Sequence, residues 1–135
     1  MRPALRVLDS YSLIAYIENE DGADKMIEVF RVARDSGKAL LLSVVNWGEI
    51  YYITLREAGR ERTEAVAQLI STLPIQIIPA DLELTKQAAE FKAIKKMSYG
   101  DCFAAALAKL RKAELVTGDE EFKQVEGEVK ILWIA

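Results

Sequence analysis

The sequence contains no histidine. That absence excludes histidine general bases, Ser-His-Asp and Cys-His nucleophile systems, and histidine-ligated zinc. Any hydrolysis by this chain must rest on carboxylates, lysine, tyrosine or a metal. Cysteine is nearly absent as well. Cys102 stands alone, so no intramolecular disulfide forms, and a reducing cytoplasm is the expected compartment. No basic-then-apolar leader opens the chain, because Met1-Arg2-Pro3 leads straight into a short strand pattern. No apolar run is long enough to span a membrane. Basic charge is not in excess: the formal net charge is −3, which does not suggest a nonspecific nucleic-acid binder. It does not exclude a nuclease, because acidic metal ligands count in that total and the metal does not. Internal repeats, low-complexity tracts and interdomain linkers are also missing.

What is present is enough for one self-sufficient fold. At 135 residues the chain has the size of a single domain over residues 1–135, large enough for a hydrophobic core without zinc or disulfide. The 51% hydrophobic content suits an α/β protein whose strands are buried on both faces. Leu5–Leu8 reads as a buried strand ending at Asp9-Ser10, followed by a helix from about Ser10. Met26, Ile27, Phe30 and Ala33 recur at helical spacing, with Gly37 as the stop. Ala39–Val45 reads as a second strand turning through Ser43 into a helix that runs to about Ala58 and stops at Gly59. Arg60–Leu73 is a further helix ended by Pro74, and Gln76–Pro79 a third strand. Asp81 opens a helix reaching about Met97. Ser98-Tyr99-Gly100 reads as a loop, and Asp101–Lys112 as a buried, alanine-rich helix. Leu115–Thr117 is the fourth strand, Glu120–Val125 one short helical turn, and Val129–Ile134 the last strand. Strands alternating with helices predict a central, mostly parallel sheet of about five strands flanked by helices.

Four acids punctuate this pattern: Asp9, Glu49, Asp101 and Asp119. Each alone has a simpler reading. Asp9 and Asp101 sit where helix N-caps belong, and Asp119 sits in a Gly-Asp turn. Glu49 is different, because it lies inside a helix, where its same-face neighbours are Val45, Asn46, Tyr52 and Ile53. A carboxylate in that company needs a partner or a cation. Three of the acids follow strands and the fourth lies about one turn into the helix after a strand. A parallel sheet would bring all four to the carboxyl ends of its strands, where ligands bind. Carboxylates gathered there repel one another. A hard divalent cation such as Mg²⁺ or Mn²⁺ relieves that repulsion, so the set reads as a metal-dependent phosphoryl-transfer site.

Four stretches carry a family likeness: Val7-Leu8-Asp9-Ser10-Tyr11, Asn46-Trp47-Gly48-Glu49, Tyr99-Gly100-Asp101-Cys102-Phe103-Ala104-Ala105, and Val116-Thr117-Gly118-Asp119-Glu120-Glu121-Phe122. In order and spacing they resemble the PIN-domain family, nearest to the VapC-type toxin ribonucleases. The resemblance covers essentially the whole chain and implies a single PIN-like α/β domain. It implies that Asp9, Glu49, Asp101 and Asp119 coordinate Mg²⁺ or Mn²⁺, directly or through water. It further suggests that Ser10, Asn46 and Thr117 orient them. The implied activity is metal-assisted endonucleolytic hydrolysis of RNA, which needs no histidine. A homodimer and an antitoxin partner are also implied, with the helices from Val45 to Leu73 contributing to the antitoxin's groove.

Other features have two readings each. Lys92, Lys95 and Lys96 form one helical stripe and Lys109, Arg111 and Lys112 cluster at a helix end; either contacts phosphates or is simply a solvated face. Trp47, Tyr51, Tyr52 and Leu55 give core packing or a partner surface. Cys102 reads as a small core residue. Two rival functions use the same architecture. A receiver-type phosphoacceptor domain would place the phosphoryl group on Asp81, with Thr117 as switch hydroxyl and Asp9 as metal ligand, leaving Glu49, Asp101 and Asp119 unexplained. A haloacid-dehalogenase-like phosphatase would want a second Asp where Tyr11 stands. A third reading keeps the PIN-like fold as a non-catalytic RNA- or partner-binding module.

Overall fold

Five short apolar runs pair edge to edge: β1 (Arg6–Leu8), β2 (Leu40–Ser43), β3 (Ile75–Ile78), β4 (Glu114–Thr117) and β5 (Ile131–Trp133). The computed structural model describes residues 4–135, so the reading of Met1-Arg2-Pro3 lies outside it. The strand order is β3-β2-β1-β4-β5, and every neighbouring pair is parallel. This is the parallel sheet expected from the alternation of strands and helices. The chain winds outward from β1 through β2 to β3, then returns to the other side of β1 for β4 and β5. The order therefore reverses at β1, and the crevice between the carboxyl ends of β1 and β4 is the sheet's topological switch point.

Alternate strand residues feed two cores. Val7, Leu41 and Leu115 pack with helices α4 (Leu82–Ile94) and α5 (Tyr99–Arg111). Leu8, Leu42 and Val116 pack on the opposite face with α1 (Ser10–Ile17), α2 (Ala23–Ser36) and α3 (Val44–Thr72). Covering both faces explains why Val7-Leu8, Leu40-Leu41-Leu42 and Leu115-Val116 are apolar in succession rather than in alternation. Each such side chain contributes about 1.5–3 kcal/mol on burial.

Helix ends follow local chemistry. Gly37 terminates α2 in the left-handed conformation, with φ of 68°. Gly59 interrupts α3 with φ of 83° and ψ of 175°, values that favour glycine. Beyond it the chain folds back, so that Trp47, Ile50 and Tyr51 of the first half line one small pocket with Val66 and Ile70 of the second. The Tyr51 hydroxyl donates to Glu64 at 2.6 Å across that fold.

Several boundaries differ from the sequence expectation. The third strand begins one residue earlier, at Ile75, and excludes Pro79, which has no N–H to give a ladder. Only Ile131–Trp133 of the expected last strand pairs; Val129 instead donates its N–H to Val125 at the end of the preceding turn. The helix after Asp81 ends at Ile94 rather than Met97. The helix expected to open at Asp101 opens at Tyr99, because Ser98 is its N-cap and accepts the Asp101 N–H at 3.2 Å. The Ser98-x-x-Asp101 pattern is the sequence signature of such a start.

Candidate functional site

Asp9 leaves β1 directly into α1. It is 1% exposed, and both carboxylate oxygens are held. Oδ1 accepts the Ser12 N–H at 2.8 Å, which makes Asp9 the N-cap of α1. Oδ2 accepts the Thr117 hydroxyl at 2.5 Å from the end of β4. Thr117 also accepts the Asp119 N–H at 3.0 Å, so one buried hydroxyl joins Asp9 to the turn that carries Asp119. Asp119 in turn caps the short 3-10 helix Glu120–Val125, its Oδ1 accepting the Glu121 N–H at 2.9 Å.

Glu49 reaches the same edge from the second turn of α3. Its Oε1 accepts from the Ser10 hydroxyl at 2.7 Å and from the Asn46 amide at 2.8 Å. The same Asn46 nitrogen donates to the Gly100 carbonyl at 3.0 Å, which ties α3 to the first turn of α5. Gly100 has no side chain for a reason visible here: a Cβ at that position would fall inside the Glu49 carboxylate. Asp101 follows, half-buried, in the first turn of α5.

The electrostatics reflect this crowding. Asp101 is raised to about 7, first by burial and then by the charges of Asp119, Asp9 and Glu49. Asp9 is raised to about 6, chiefly by burial, against the downward pull of its bonds from Thr117 and Ser12. The positive ends of α1 and α5 offset part of the repulsion, since Asp9 caps one and Asp101 lies in the first turn of the other.

One acid was missed in reading the sequence. Oxygens of Asp101, Asp119 and Glu121 lie within 4.8 Å of one another, close enough to share an ion. Glu121 follows Asp119 by two positions, and only the tight 3-10 turn brings it back to the cleft. The adjacent acids after Gly118 were the available signal. The donor set is all carboxylate oxygen, which suits Mg²⁺, Mn²⁺ or Ca²⁺ and not zinc or copper. Asn46 adds a second indication. It is 0% exposed, and its Oδ1 has no partner among the described residues. An orphaned buried acceptor beside a carboxylate cluster fits a hydrated cation.

The other candidates lie elsewhere. Asp81 caps α4, accepting the Leu84 N–H at 2.9 Å. It stands on the edge of the sheet with β2 between β3 and β1, away from the switch point, so the receiver reading loses its phosphoacceptor. Lys95 and Lys109 converge on Glu128 at 3.5 and 3.3 Å, and Lys92 bonds the Met97 carbonyl. Lys109, Arg111 and Lys112 sit at the far end of α5 from Asp101, about 15 Å away at 1.5 Å per residue. They are not beside the acids. Trp47 and Tyr51 stack at 5.3 Å between ring centres and turn into the fold of α3, while Tyr52 is exposed beneath Arg56. Cys102 is buried core.

The family model of the PIN domain matches residues 6–128. No curated protein matches the chain by sequence. Among solved structures, VapBC from Salmonella typhimurium bound to DNA is similar over 98% of this chain and 100% of that one, at 20% identity and a TM-score of 0.76. VapBC2 from Rickettsia felis, bound to a DNA fragment from its promoter, matches 95% of this chain and 97% of its own at 16% identity and a TM-score of 0.75. VapC20 of Mycobacterium tuberculosis, a Sarcin-Ricin loop cleaving toxin, matches 93% and 97% at 16% identity and a TM-score of 0.71. At these identities the likeness is one of fold. No helix among the described residues is long and apolar enough to cross a membrane.

Proposed function

The chain belongs to the PIN-domain family, and from that premise we propose that it is a Mg²⁺- or Mn²⁺-dependent endoribonuclease acting as the toxin of a toxin–antitoxin pair. The observation that carries the reading is the convergence of Asp9, Glu49, Asp101 and Asp119 at one sheet edge, where Asp9 is joined through Thr117 to the Asp119 turn, Glu49 is tied through Asn46 to Gly100, and burial first, then the charges of Asp119, Asp9 and Glu49, raise Asp101. Carboxylates gathered at one partly buried edge are costly to keep unless a cation uses them. In this reading Asp9, Glu49, Asp101 and Asp119 are the catalytic, metal-holding residues.

Ser10 and Asn46 fix the Glu49 carboxylate, and Thr117 fixes Asp9 and the Asp119 turn. A bound divalent cation supplies charge neutralisation on the scissile phosphate and a lowered pKa for the attacking water. The protein's own share is to hold the carboxylates in place through Ser10, Asn46 and Thr117.

The finer partners follow from the same reading. Toxin–antitoxin systems are named among the structural relatives, which supports an antitoxin for this chain. A groove of about 430 Å³ between α1 and α3 is lined by Ile14, Ile17 and Ile53 and by Glu18, Glu20 and Glu57, with Arg62 paired to Glu18 at 3.2 Å. It suits an amphipathic segment with basic flanks. The exposed apolar side chains Leu82 and Ile94 on α4, and Ile77 on edge strand β3, suit a second copy of the chain. An RNA substrate and an antitoxin imply a cytoplasmic protein.

Induced expression in bacterial cells tests the toxin reading. Growth arrest with discrete new RNA ends is expected from the wild type and not from Asp101→Asn. Unimpaired growth and unchanged RNA from a soluble, folded wild-type chain would contradict it.

A further inference from the structure

We infer that Arg56 is an RNA contact: its guanidinium takes a phosphate beside the one being cut, and Tyr52 holds it in position. The inference rests on the ribonuclease reading above and adds the surface along which the substrate lies. A polyanion that enters a cleft of carboxylates needs basic side chains next to the cleft as well as a cation within it. Much of the chain's basic charge is committed elsewhere. Lys95 and Lys109 pair with Glu128, Arg6 and Lys130 with Glu114, and Arg62 with Glu18. Lys92 bonds the Met97 carbonyl. Arg56 is exposed and has no carboxylate partner among the described residues.

Its place on α3 gives it a direction. Glu49, Tyr52 and Arg56 recur at i, i+3 and i+7 before the Gly59 break, so they share one face of the helix. At 1.5 Å per residue, Arg56 stands about 10 Å further along that face than Glu49. Its side chain turns back toward Glu49, as helical side chains lean toward the N-terminus. The guanidinium carbon lies 5.3 Å from the centre of the Tyr52 ring. Tyr52 is itself 48% exposed, so the pair meets solvent on the Glu49 side of the helix. An aromatic ring against a guanidinium fixes its plane and leaves its edge N–H groups for phosphate oxygens. The groove assigned to an antitoxin uses a different face of α3: Ile50, Ile53, Thr54 and Glu57 line it, and Tyr52 and Arg56 do not.

Fluorescence anisotropy of a labelled single-stranded RNA of mixed sequence, in Mn²⁺ and over a series of salt concentrations, tests this on the wild type, Arg56→Gln, Arg56→Lys and Arg31→Gln. Folding is checked by circular dichroism, oligomeric state by size-exclusion chromatography and RNA integrity on a gel. Arg31 is exposed on α2 and paired with Glu28 and Asp35, so Arg31→Gln reports the general effect of one lost positive charge. Arg56→Gln is expected to bind about tenfold more weakly than the wild type and Arg31→Gln, the scale of one charged hydrogen-bonded contact. The slope of log affinity against log salt should fall in magnitude by about 0.7, the share of one phosphate on a single strand. Arg56→Lys keeps the charge and should keep the slope. Wild-type affinity and slope in Arg56→Gln would overturn the inference and leave the ribonuclease reading standing. Equal losses in Arg56→Gln and Arg31→Gln would overturn it as a field effect. A changed oligomeric state in Arg56→Gln would overturn it by making this face a contact between copies. No RNA binding by the wild type would overturn both the inference and the reading beneath it.

Discussion

The Thr117 hydroxyl donates to Asp9 Oδ2 at 2.5 Å, joining the ends of β4 and β1 across 108 positions of sequence. Both side chains are buried, so this bond is the internal brace of the switch-point crevice. Thr117→Val keeps the shape and removes the donor. It leaves a buried carboxylate oxygen and the Asp119 N–H short of partners, at a cost of about 1–3 kcal/mol. Chemical denaturation should show that loss, and Thr117→Ser should restore most of it. Wild-type stability in Thr117→Val would mean the bond is not a brace.

Asp101→Asn removes one of the mutually repelling charges. Without metal its melting temperature should rise above that of the wild type, because the repulsion and the cost of burying the charge both fall. With Mn²⁺ the order should reverse, since only the wild type gains from a ligand selective for the native state. Differential scanning calorimetry with and without Mn²⁺ reads both effects. RNA cleavage should fall at least about 10²-fold, the loss typical when a charge-stabilising group is removed.

The pH dependence of the metal-free protein follows from Asp9 and Asp101. Their folded values, about 6 and about 7, lie above the ordinary carboxylate value of 3.8. Between those limits the folded state binds more protons than the unfolded state, so stability falls as pH rises. The loss runs from about pH 4 to about pH 7 and is complete above it. Denaturation at pH 5 and pH 8 should therefore show a more stable metal-free protein at pH 5, with a smaller difference in Asp101→Asn. A stability that instead rises over this window in the wild type, and is unchanged in slope by the substitution, would contradict the assignment.

Gly100 and Gly48 give a matched pair. A Cβ at Gly100 meets the Glu49 carboxylate, whereas a Cβ at Gly48 meets nothing within 4 Å. Gly100→Ala should displace Glu49 and cost about 1–3 kcal/mol as overpacking, together with a weaker Mn²⁺-induced rise in melting temperature. Gly48→Ala sits in a helix and should stabilise by about 0.5–1 kcal/mol. Parallel melts of the two variants check the contrast.

The sequence exposes the frame of this site more readily than its detail. Asp9 was legible because it closes an apolar run, and Glu49 because a helix interior offers it no capping role. The parallel order followed from strands separated by helices. Ser98-Tyr99-Gly100 reads as loop in sequence, yet the Ser98 hydroxyl caps α5 and sets Asp101 in its first turn. Glu121 was passed over because its return to the cleft depends on the 3-10 pitch rather than on any spacing a standard helix would give. The basic clusters keep two readings in sequence because Glu128, which meets Lys95 and Lys109, is distant along the chain and reaches them only in the fold.

The most direct test is cleavage of total RNA by the purified protein with Mn²⁺, beside an EDTA control and the Asp101→Asn variant. The account predicts discrete fragments that require both the metal and Asp101. Fragments that persist in EDTA or with Asp101→Asn, or intact RNA from a wild type that binds Mn²⁺, would contradict it.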